Sequence, residues 1–446
     1  MSLIELSLMA YYLFTLKYII WDVNEVTISK FSAQKTLWIF TIAMLISGFY
    51  PLINPIDKSA FQFLKTFIHL YYLVFFLFSV LILPINHKTW KGVIRVWLWL
   101  SIFINTYAVY QLVARIFDLP FAWIEFTNVV SADRVAQDNI QTEAIVVKFE
   151  SFYRATSIFT EPSTLGVFNI ITLCFTAIPL INHKGRLLKS SLVTYFIIAL
   201  SLIGITLTFS LIAVASLFLI FFATLIFEKK KNWKFFAYLF GISALVILVA
   251  DQIVVSYMDV SILSLFYDRV EGIIYSLTSG RQEFVSGESF VDRVRTSAEG
   301  FRLWQMNYLS GVGLGNTYNY SNEVVFVDSG LFAILGETGL IGALSFIALF
   351  LFTFLNIKRI DELSIDSENS LINNMAKYLI LFIAFMNIVT SNQYVGPNMW
   401  FYLGFTFSII NLGKKELNED QLKIKFFNNN LKERFNSGIR SYLKSN

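Results

Sequence analysis

Long apolar segments recur along the whole sequence, and their length restricts the fold more than any other feature. Each is long enough to cross the ~30 Å hydrocarbon core of a bilayer as a helix. None has the alternating pattern of a membrane β-strand, so helices must satisfy the backbone. Hydrophobic residues make up 56% of the chain and charged residues 15%, too few to cover a water-soluble protein of this size. We therefore predict an all-α, polytopic integral membrane protein.

The apolar runs predict about eleven transmembrane helices, within a range of ten to twelve. The run from 191 to 227 is too long for one crossing, and polar residues at Thr206, Thr208 and Ser210 predict two helices joined by a tight turn. The predicted spans are 3–20, 36–53, 61–84, 93–117, 161–181, 191–208, 211–227, 235–255, 328–356, 374–392 and 398–412.

Basic residues divide the connections between these spans into two sets. One set, together with the segment that follows Gly413, holds 21 basic residues, of which only four are arginine. The positive-inside rule makes this set cytoplasmic, with the N-terminus outside and the C-terminus inside. We expect one transmembrane domain over residues 1–413 and a basic amphipathic tail over 414–446 that lies along the cytoplasmic interface. The run at 3–20 lacks the flanks of a cleaved signal peptide, so we predict a retained span.

The opposite, extracytoplasmic set of connections is rich in arginine. It holds nine basic residues, of which seven are arginine. Lysine and arginine satisfy the topology rule equally, whereas the planar guanidinium is better suited to bidentate binding of phosphate or carboxylate. Two of these connections are long, at about 118–160 and 256–327, and loops of such length usually carry function. The sequence therefore predicts an anion-binding outer face.

A carboxylate is the best candidate for a base on this face, because the three histidines lie elsewhere. His87 and His183 fall in cytoplasmic connections, and His69 lies inside the third predicted span. Asp328 lies where the second long connection meets an apolar helix, so it is partly desolvated yet reachable by a polar substrate. The alternative is that Asp328 caps the helix N-terminus, and one residue can do both.

Two other carboxylates lie near the same edge. Glu161 precedes Pro162, which suits the first turn of a helix, and it is the second candidate base. Glu337 follows Asp328 by nine residues and would face the opposite side of a continuous helix. We predict that Glu337 and Gly339 are structural residues and that Glu337 bonds to a neighbouring span.

Arginines and glycines precede Asp328. Arg295 and Arg302 stand seven apart with Glu299 between them, so on a helix all three share one face. A solvated, salt-bridged face is the alternative to an anion site. The segment GVGLGN lacks the βαβ context of a dinucleotide loop, and we do not predict nucleotide binding. Its glycines allow a tight backbone path beside a ligand or the membrane: Gly311, Gly313 and Gly315.

This order of motifs resembles a known family. An arginine-bearing segment, GVGLGN, a polar residue that opens a helix and ETGLIG follow one another over residues 295–345, which resembles the O-antigen ligase and polymerase superfamily of bacterial membrane glycosyltransferases. ATSIFTEPSTLG, within 150–168, is similar to the polymerase branch. Ligases of the superfamily carry a histidine nine residues before the Glu of the ETG segment. Asp328 stands there in this chain, as an Asp often does in polymerases.

The resemblance implies a repeat-unit polymerase of O-antigen, capsule or exopolysaccharide in the bacterial inner membrane. Donor and acceptor would both be glycans on undecaprenyl diphosphate, with no cofactor, metal or nucleic acid, and a flippase and a chain-length regulator would be partners. A sugar hydroxyl must lose a proton and the departing diphosphate gains charge, so carboxylate and guanidinium groups fit the reaction. The implied roles are base for Asp328, with Glu161 in reserve, diphosphate binding for Arg154, Arg295 and Arg302, and donor guidance for Arg269, Arg281 and Arg293.

Two other functions stay open. One is a ligase that passes finished glycan to lipid A core or to protein. The other is a flippase or transporter of lipid-linked glycans, which we expect to carry charges in several spans along a continuous path. Here the charges gather at one edge, which favours the enzyme.

Overall fold

A computed structural model describes most of the chain and is helical, as predicted. The described residues are 11–13, 15–17, 30–56, 58–83, 85–123, 148–149, 152–228, 231–258, 261–279, 288–321, 327–364, 367–390 and 393–417. Within these ranges the only strands are two of two residues each, β1 (Lys148–Phe149) and β2 (Phe152–Tyr153), which pair antiparallel. The all-α class is confirmed.

Fifteen labelled helices follow one another in the described ranges. They are α1 Ser32–Ser47, α2 Phe49–Ile53, α3 Ser59–Ile82, α4 His87–Ile116, α5 Pro162–Phe175, α6 Ala177–Ile181, α7 Ser191–Thr208, α8 Leu211–Phe227, α9 Trp233–Met258, α10 Ile262–Ser279, α11 Glu288–Met306, α12 Thr317–Tyr320, α13 Gly330–Leu363, α14 Ser367–Val389 and α15 at residues 397–417. A short 3₁₀ helix, Gln393–Val395, precedes α15.

Seven helices in the described part of the chain are long and apolar enough to cross a membrane. They are Ser32–Ile53, Ser59–Ile82, His87–Ile116, Pro162–Ile181, Ser191–Thr208, Gly330–Leu363 and Asn369–Val389. The apolar helices Leu211–Phe227 and Trp233–Val249 are shorter. These helices agree with a polytopic membrane protein. The predicted span 3–20 falls mostly outside the described residues, as do the tail beyond residue 417 and residues 124–147 of the first long connection.

The break predicted between 191 and 227 is confirmed. Helix α7 ends at Thr208, Phe209 adopts the left-handed conformation with φ of 49°, and α8 begins at Leu211. The Ser210 hydroxyl caps α8 by accepting a hydrogen bond from the backbone N–H of Ala213 at 3.4 Å. The polar residues therefore supply the turn and the cap, as their position in an otherwise apolar run indicated.

Helix α13 is the centre of the bundle, and its most extensive contacts are with α1, α14 and α11. Its backbone is interrupted at Gly339, where φ is 67° and ψ is −168°. A side chain there would also lie 2.3 Å from the carbonyl carbon of Leu309, so glycine is required on both counts. The interruption divides one long apolar helix into two parts that can contact different partners.

A cluster of buried charges closes one end of the bundle. Lys377 Nζ, on α14, contacts the carboxylates of Glu228 and Asp361, the latter at 2.5 Å, and both Lys377 and Asp361 are 3% exposed. Lys184 bonds the other oxygen of Asp361 at 3.1 Å. Asn374 donates to both carboxylates. The connections after α6 and α8 are therefore joined to the last turn of α13 at this end, and all three contributing residues, Lys184, Glu228 and Asp361, fall in segments predicted to be cytoplasmic.

Replacing Lys377 by methionine tests this cluster. Lys377→Met removes the cation that Glu228 and Asp361 share, which leaves Glu228 without its counter-charge and Asp361 with Lys184 alone. We expect a loss of about 3–5 kcal/mol of stability, the cost of breaking a buried ion pair. Thermal unfolding in detergent measures the effect. Lys358→Met is the matched control, because Lys358 faces Glu362 at 3.9 Å in an exposed pair. Equal unfolding temperatures for the two variants would contradict the assignment.

Candidate active site

Asp328 lies just before α13 and is held by a threonine of α11. Its Oδ2 accepts a hydrogen bond from Thr296 Oγ1 at 3.1 Å, and its backbone N–H donates to the same hydroxyl at 3.3 Å. Asp328 is half-buried. Within the described ranges, Thr296 is the one side chain that bonds its carboxylate.

The alternative assignment of Asp328 as the helix cap is wrong. Ser329 is the N-cap of α13, and its hydroxyl accepts a hydrogen bond from the backbone N–H of Phe332 at 3.4 Å. That hydroxyl also donates to the carbonyl of Ile388 at 2.6 Å, and the Gly330 N–H donates to the carbonyl of Thr390 at 2.8 Å. The cap residue therefore fixes the start of α13 to the end of α14. Because Ser329 supplies the N-cap hydrogen bond, the Asp328 side chain does not cap the helix.

Helix α11, which supplies Thr296, also carries Arg293. Gly300 lets its backbone approach α13 closely, because a side chain there would lie 2.7 Å from the carbonyl oxygen of Phe332. Arg293 Nη1 donates to the carbonyl of Val389 at 3.2 Å, and the Arg293 carbonyl accepts from Thr296 at 3.2 Å. Arg293 and Asp328 thus share Thr296 as a neighbour at the end of α14.

The segment that carries Arg295, Glu299 and Arg302 is helical, as predicted, and the two arginines have different partners. Arg302 binds Glu299 at 2.7 Å and donates to the carbonyl of Tyr320 at 2.8 Å. Its hydrogen bonds hold the pKa of Glu299 below the usual value. Arg295 is exposed and makes no ion pair with any residue that the structure describes. The salt bridge on this face is therefore the one between Arg302 and Glu299, whereas the Arg295 side chain is exposed.

Arg154 directly follows β2 and Glu161 is the N-cap residue of α5, and their surroundings differ. Arg154 is buried, and its Nε donates to the carbonyl of Thr208 at 2.7 Å, at the turn between α7 and α8. Glu161 is exposed and accepts a hydrogen bond from the Ser163 hydroxyl at 3.0 Å. No contact in the described part of the chain joins either residue to Asp328. The backbone of Arg293 is linked to Asp328 through the Thr296 hydroxyl, whereas neither Arg154 nor Glu161 shares such a link.

Arg115, at the end of α4, organises this region and was missed in the sequence. Its guanidinium donates to the carbonyls of Ala122, at 3.2 Å, and Arg154, and to the Thr156 hydroxyl at 3.1 Å. It also lies 4.3 Å from the centroid of the Trp123 ring. Arg115 therefore ties the beginning of the first long connection to its end. Its position in the last turn of a helix was the only available signal.

Residues 311–316 (GVGLGN), called the glycine segment below, pack against α13 where that helix is interrupted at Gly339. Gly311, Gly313 and Gly315 all have positive φ, between 69° and 95°. The N–H groups of Val312 and Gly313 donate to the carbonyls of Gly336 and Glu337 at 3.0 and 2.9 Å. The glycines therefore give a tight backbone path, and that path runs along α13.

The Glu337 side chain fastens the same segment. It is 3% exposed, and one oxygen accepts from the Gly315 N–H at 2.9 Å and from the Tyr394 hydroxyl at 2.6 Å. Its other oxygen accepts from the Thr317 hydroxyl at 2.8 Å. These contacts join α13 to the glycine segment and to the 3₁₀ helix before α15.

The structure describes little of Arg269 and Arg281, the two remaining arginines of the predicted site. Arg269 belongs to α10, and its side chain is not described, while Arg281 lies outside the described residues. No group of three His, Cys, Asp or Glu side chains in the described ranges is arranged to hold a metal ion. The site thus consists of one accessible carboxylate with guanidinium groups on the adjoining helix, which can accept a proton and bind an anion.

Glu337→Gln tests the fastening of the glycine segment. The glutamine amide presents N–H groups where three donors now converge, so at least one buried donor loses its acceptor at a cost of roughly 1–3 kcal/mol. We expect a lower unfolding temperature in detergent. Glu362→Gln is the control, since the Glu362 side chain is 62% exposed. The interpretation fails if both variants unfold at the parent temperature.

Comparison with known proteins gives no match. No family model matches the chain, and no similar sequence was found among curated proteins. The resemblance of residues 295–345 to the ligase and polymerase superfamily therefore rests on the motifs themselves.

Proposed function

We propose that the protein is a bacterial repeat-unit polymerase for O-antigen, capsule or exopolysaccharide. It transfers a growing glycan from undecaprenyl diphosphate onto the non-reducing end of a new lipid-linked repeat unit. The observation that carries the proposal is the half-buried Asp328 carboxylate, which accepts a hydrogen bond from Thr296 of α11, the helix that also carries Arg293, Arg295 and Arg302. The motif order over residues 295–345 adds to it.

The chemistry assigns a task to each group. Asp328 takes the proton of the acceptor hydroxyl as its oxygen bonds to the anomeric carbon of the donor sugar. The bond from that carbon to the diphosphate breaks, and the leaving group carries away the electron pair. Arg295 and Arg293 stabilise the charge that develops there, with Arg302 and Arg154 as further cations. Attack from the face opposite the diphosphate inverts the anomeric centre.

The same proposal includes the membrane topology. The chain crosses the bacterial inner membrane about eleven times, with the N-terminus outside, the C-terminus in the cytoplasm and the long connections 118–160 and 256–327 outside. The grouping of Lys184, Glu228 and Asp361 at one end of the bundle supports this, because their connections carry the lysine-rich sequences. Asp328 belongs to the opposite end.

Asp328→Asn tests the base. Asparagine keeps the size and one acceptor oxygen but cannot take a proton, so we expect the ladder of surface glycans to collapse to single capped repeats at normal protein level. Gel electrophoresis of surface glycan measures the ladder. An unchanged ladder would reject Asp328.

Glu161→Gln is run in parallel as the reserve assignment. We expect it to keep the ladder, and loss of the ladder in this variant alone would move the base to Glu161. Deletion of the gene distinguishes the functions. Polymer that never reaches its acceptor would indicate a ligase, and repeats trapped on the inner leaflet would indicate a flippase.

Arg295→Ala tests anion binding on α11. A hydrogen bond to a charged group contributes roughly 1.5–3 kcal/mol, so we expect polymer formation to slow about tenfold to a hundredfold. Gln305→Ala removes another exposed side chain of the same helix and is the control. The rate of chain extension in membranes supplied with lipid-linked repeats is the measurement. A rate no lower than that of Gln305→Ala would remove Arg295 from the site.

A further inference from the structure

Helix α10 carries an exposed apolar stripe along one side. Its members recur at intervals of four, three and four residues, which places them in one line on a helix. They are between 45 and 67% exposed: Leu263, Tyr267, Val270 and Ile274. The adjoining arc of the helix is polar and also exposed: Ser264, Asp268 and Glu271. One exposed surface therefore changes from apolar to acidic within about one quarter turn.

Asp251 fixes where this helix begins. It lies on α9, is 7% exposed, and one carboxylate oxygen accepts hydrogen bonds from the Ser261 hydroxyl at 2.8 Å and the Leu263 N–H at 3.1 Å. Helix α9 continues for seven residues beyond Asp251, to Met258, which is about 10 Å at 1.5 Å per residue. The chain therefore turns back, and α10 starts about 10 Å inside the end of α9.

The part of α9 before this point has the surface of a lipid-facing helix. Large apolar side chains along it are 45 to 69% exposed: Tyr238, Phe240, Ile242, Leu245, Leu248 and Val249. The stripe of α10 therefore begins beside a surface suited to acyl chains. Helix α10 is itself not among the spans, and its sequence carries Asp268, Arg269 and Glu271 in the middle. A helix of this kind lies flat at the edge of the hydrocarbon.

We propose that α10 is an interfacial helix whose stripe inserts into the boundary between headgroups and acyl chains, in the leaflet where α9 ends. Three observations favour lipid as the partner of the stripe. They are the start of α10 beside Asp251, the exposure of the stripe and the acidic arc next to it. Asp251, a buried carboxylate in an apolar helix, then serves as the anchor that holds α10 at that depth. The proposal does not depend on the reaction that the protein catalyses.

Cysteine accessibility tests it, because Cys174 is buried and is the chain's single cysteine. In a Cys174→Ala background, Tyr267→Cys and Val270→Cys report on the stripe. Asp268→Cys and Glu271→Cys, their neighbours in sequence, report on the polar arc. Freeze-thawed membranes, open on both faces, are treated with a water-soluble maleimide. We expect the stripe cysteines to react at least about tenfold more slowly than the cysteines of the polar arc, since the reactive thiolate is disfavoured in apolar surroundings.

Other outcomes would overturn the proposal. Equal, fast modification in both pairs would mean that water covers the stripe. Slow modification of all four would mean that the helix is enclosed. Efficient disulfide-linked dimers of Tyr267→Cys on oxidation would assign the stripe to a second copy of the chain.

A depth measurement gives an independent check. A fluorophore on Val270→Cys should be quenched more by lipids brominated near the headgroup than by lipids brominated near the chain end. Stronger quenching by the deep bromines would also overturn the interfacial position. Thermal unfolding of each variant within a few degrees of the background protein shows that the fold is retained.

Discussion

The backbone of an apolar bundle must find its hydrogen-bond partners within the protein, and this requirement shapes the centre of the structure. Where α13 is interrupted at Gly339, its carbonyls at Gly336 and Glu337 accept hydrogen bonds from the glycine segment. Beyond the interruption, the Leu340 N–H donates to the carbonyl of Tyr308 at 2.9 Å. The segment between α11 and α13 thus replaces the missing helical bonds. The position of α11, and with it the surroundings of Asp328, follows from this exchange.

The charged side chains at the two ends of the bundle differ in their burial. At one end Lys377 is enclosed by Asp361 and Glu228, and each charge of this cluster has a partner inside the protein. Such a cluster joins helices but offers nothing to a ligand. At the other end the Asp328 carboxylate is half-buried beside Thr296, and Arg295 is exposed. Buried ion pairs thus join the helices at the first end, whereas exposed and half-buried charged groups lie at the second.

Patterns within one segment were predictable from the sequence, whereas contacts between distant segments were not. The turn after Thr208 and the helical face of Arg295 and Arg302 follow from polar residues in apolar runs and from helical spacing. The cap went to Ser329 rather than to Asp328, because Thr296 of another helix holds the aspartate. The glycine segment was expected to be tight, but its partner, the interrupted α13, could not be inferred, since a glycine inside an apolar helix indicates no break by itself.

The hydrogen bonds of Glu337 also bear on how the protein is made. Its carboxylate receives donors from Gly315 and Thr317, which precede it, and from Tyr394, which is synthesised later. Tyr394 is held in turn through its carbonyl, which accepts from the indole N–H of Trp400 in α15 at 2.8 Å. The glycine segment can therefore reach its final bonding only after the ribosome has delivered α15 to the membrane. Until then the hydrogen bonds around Glu337 are incomplete.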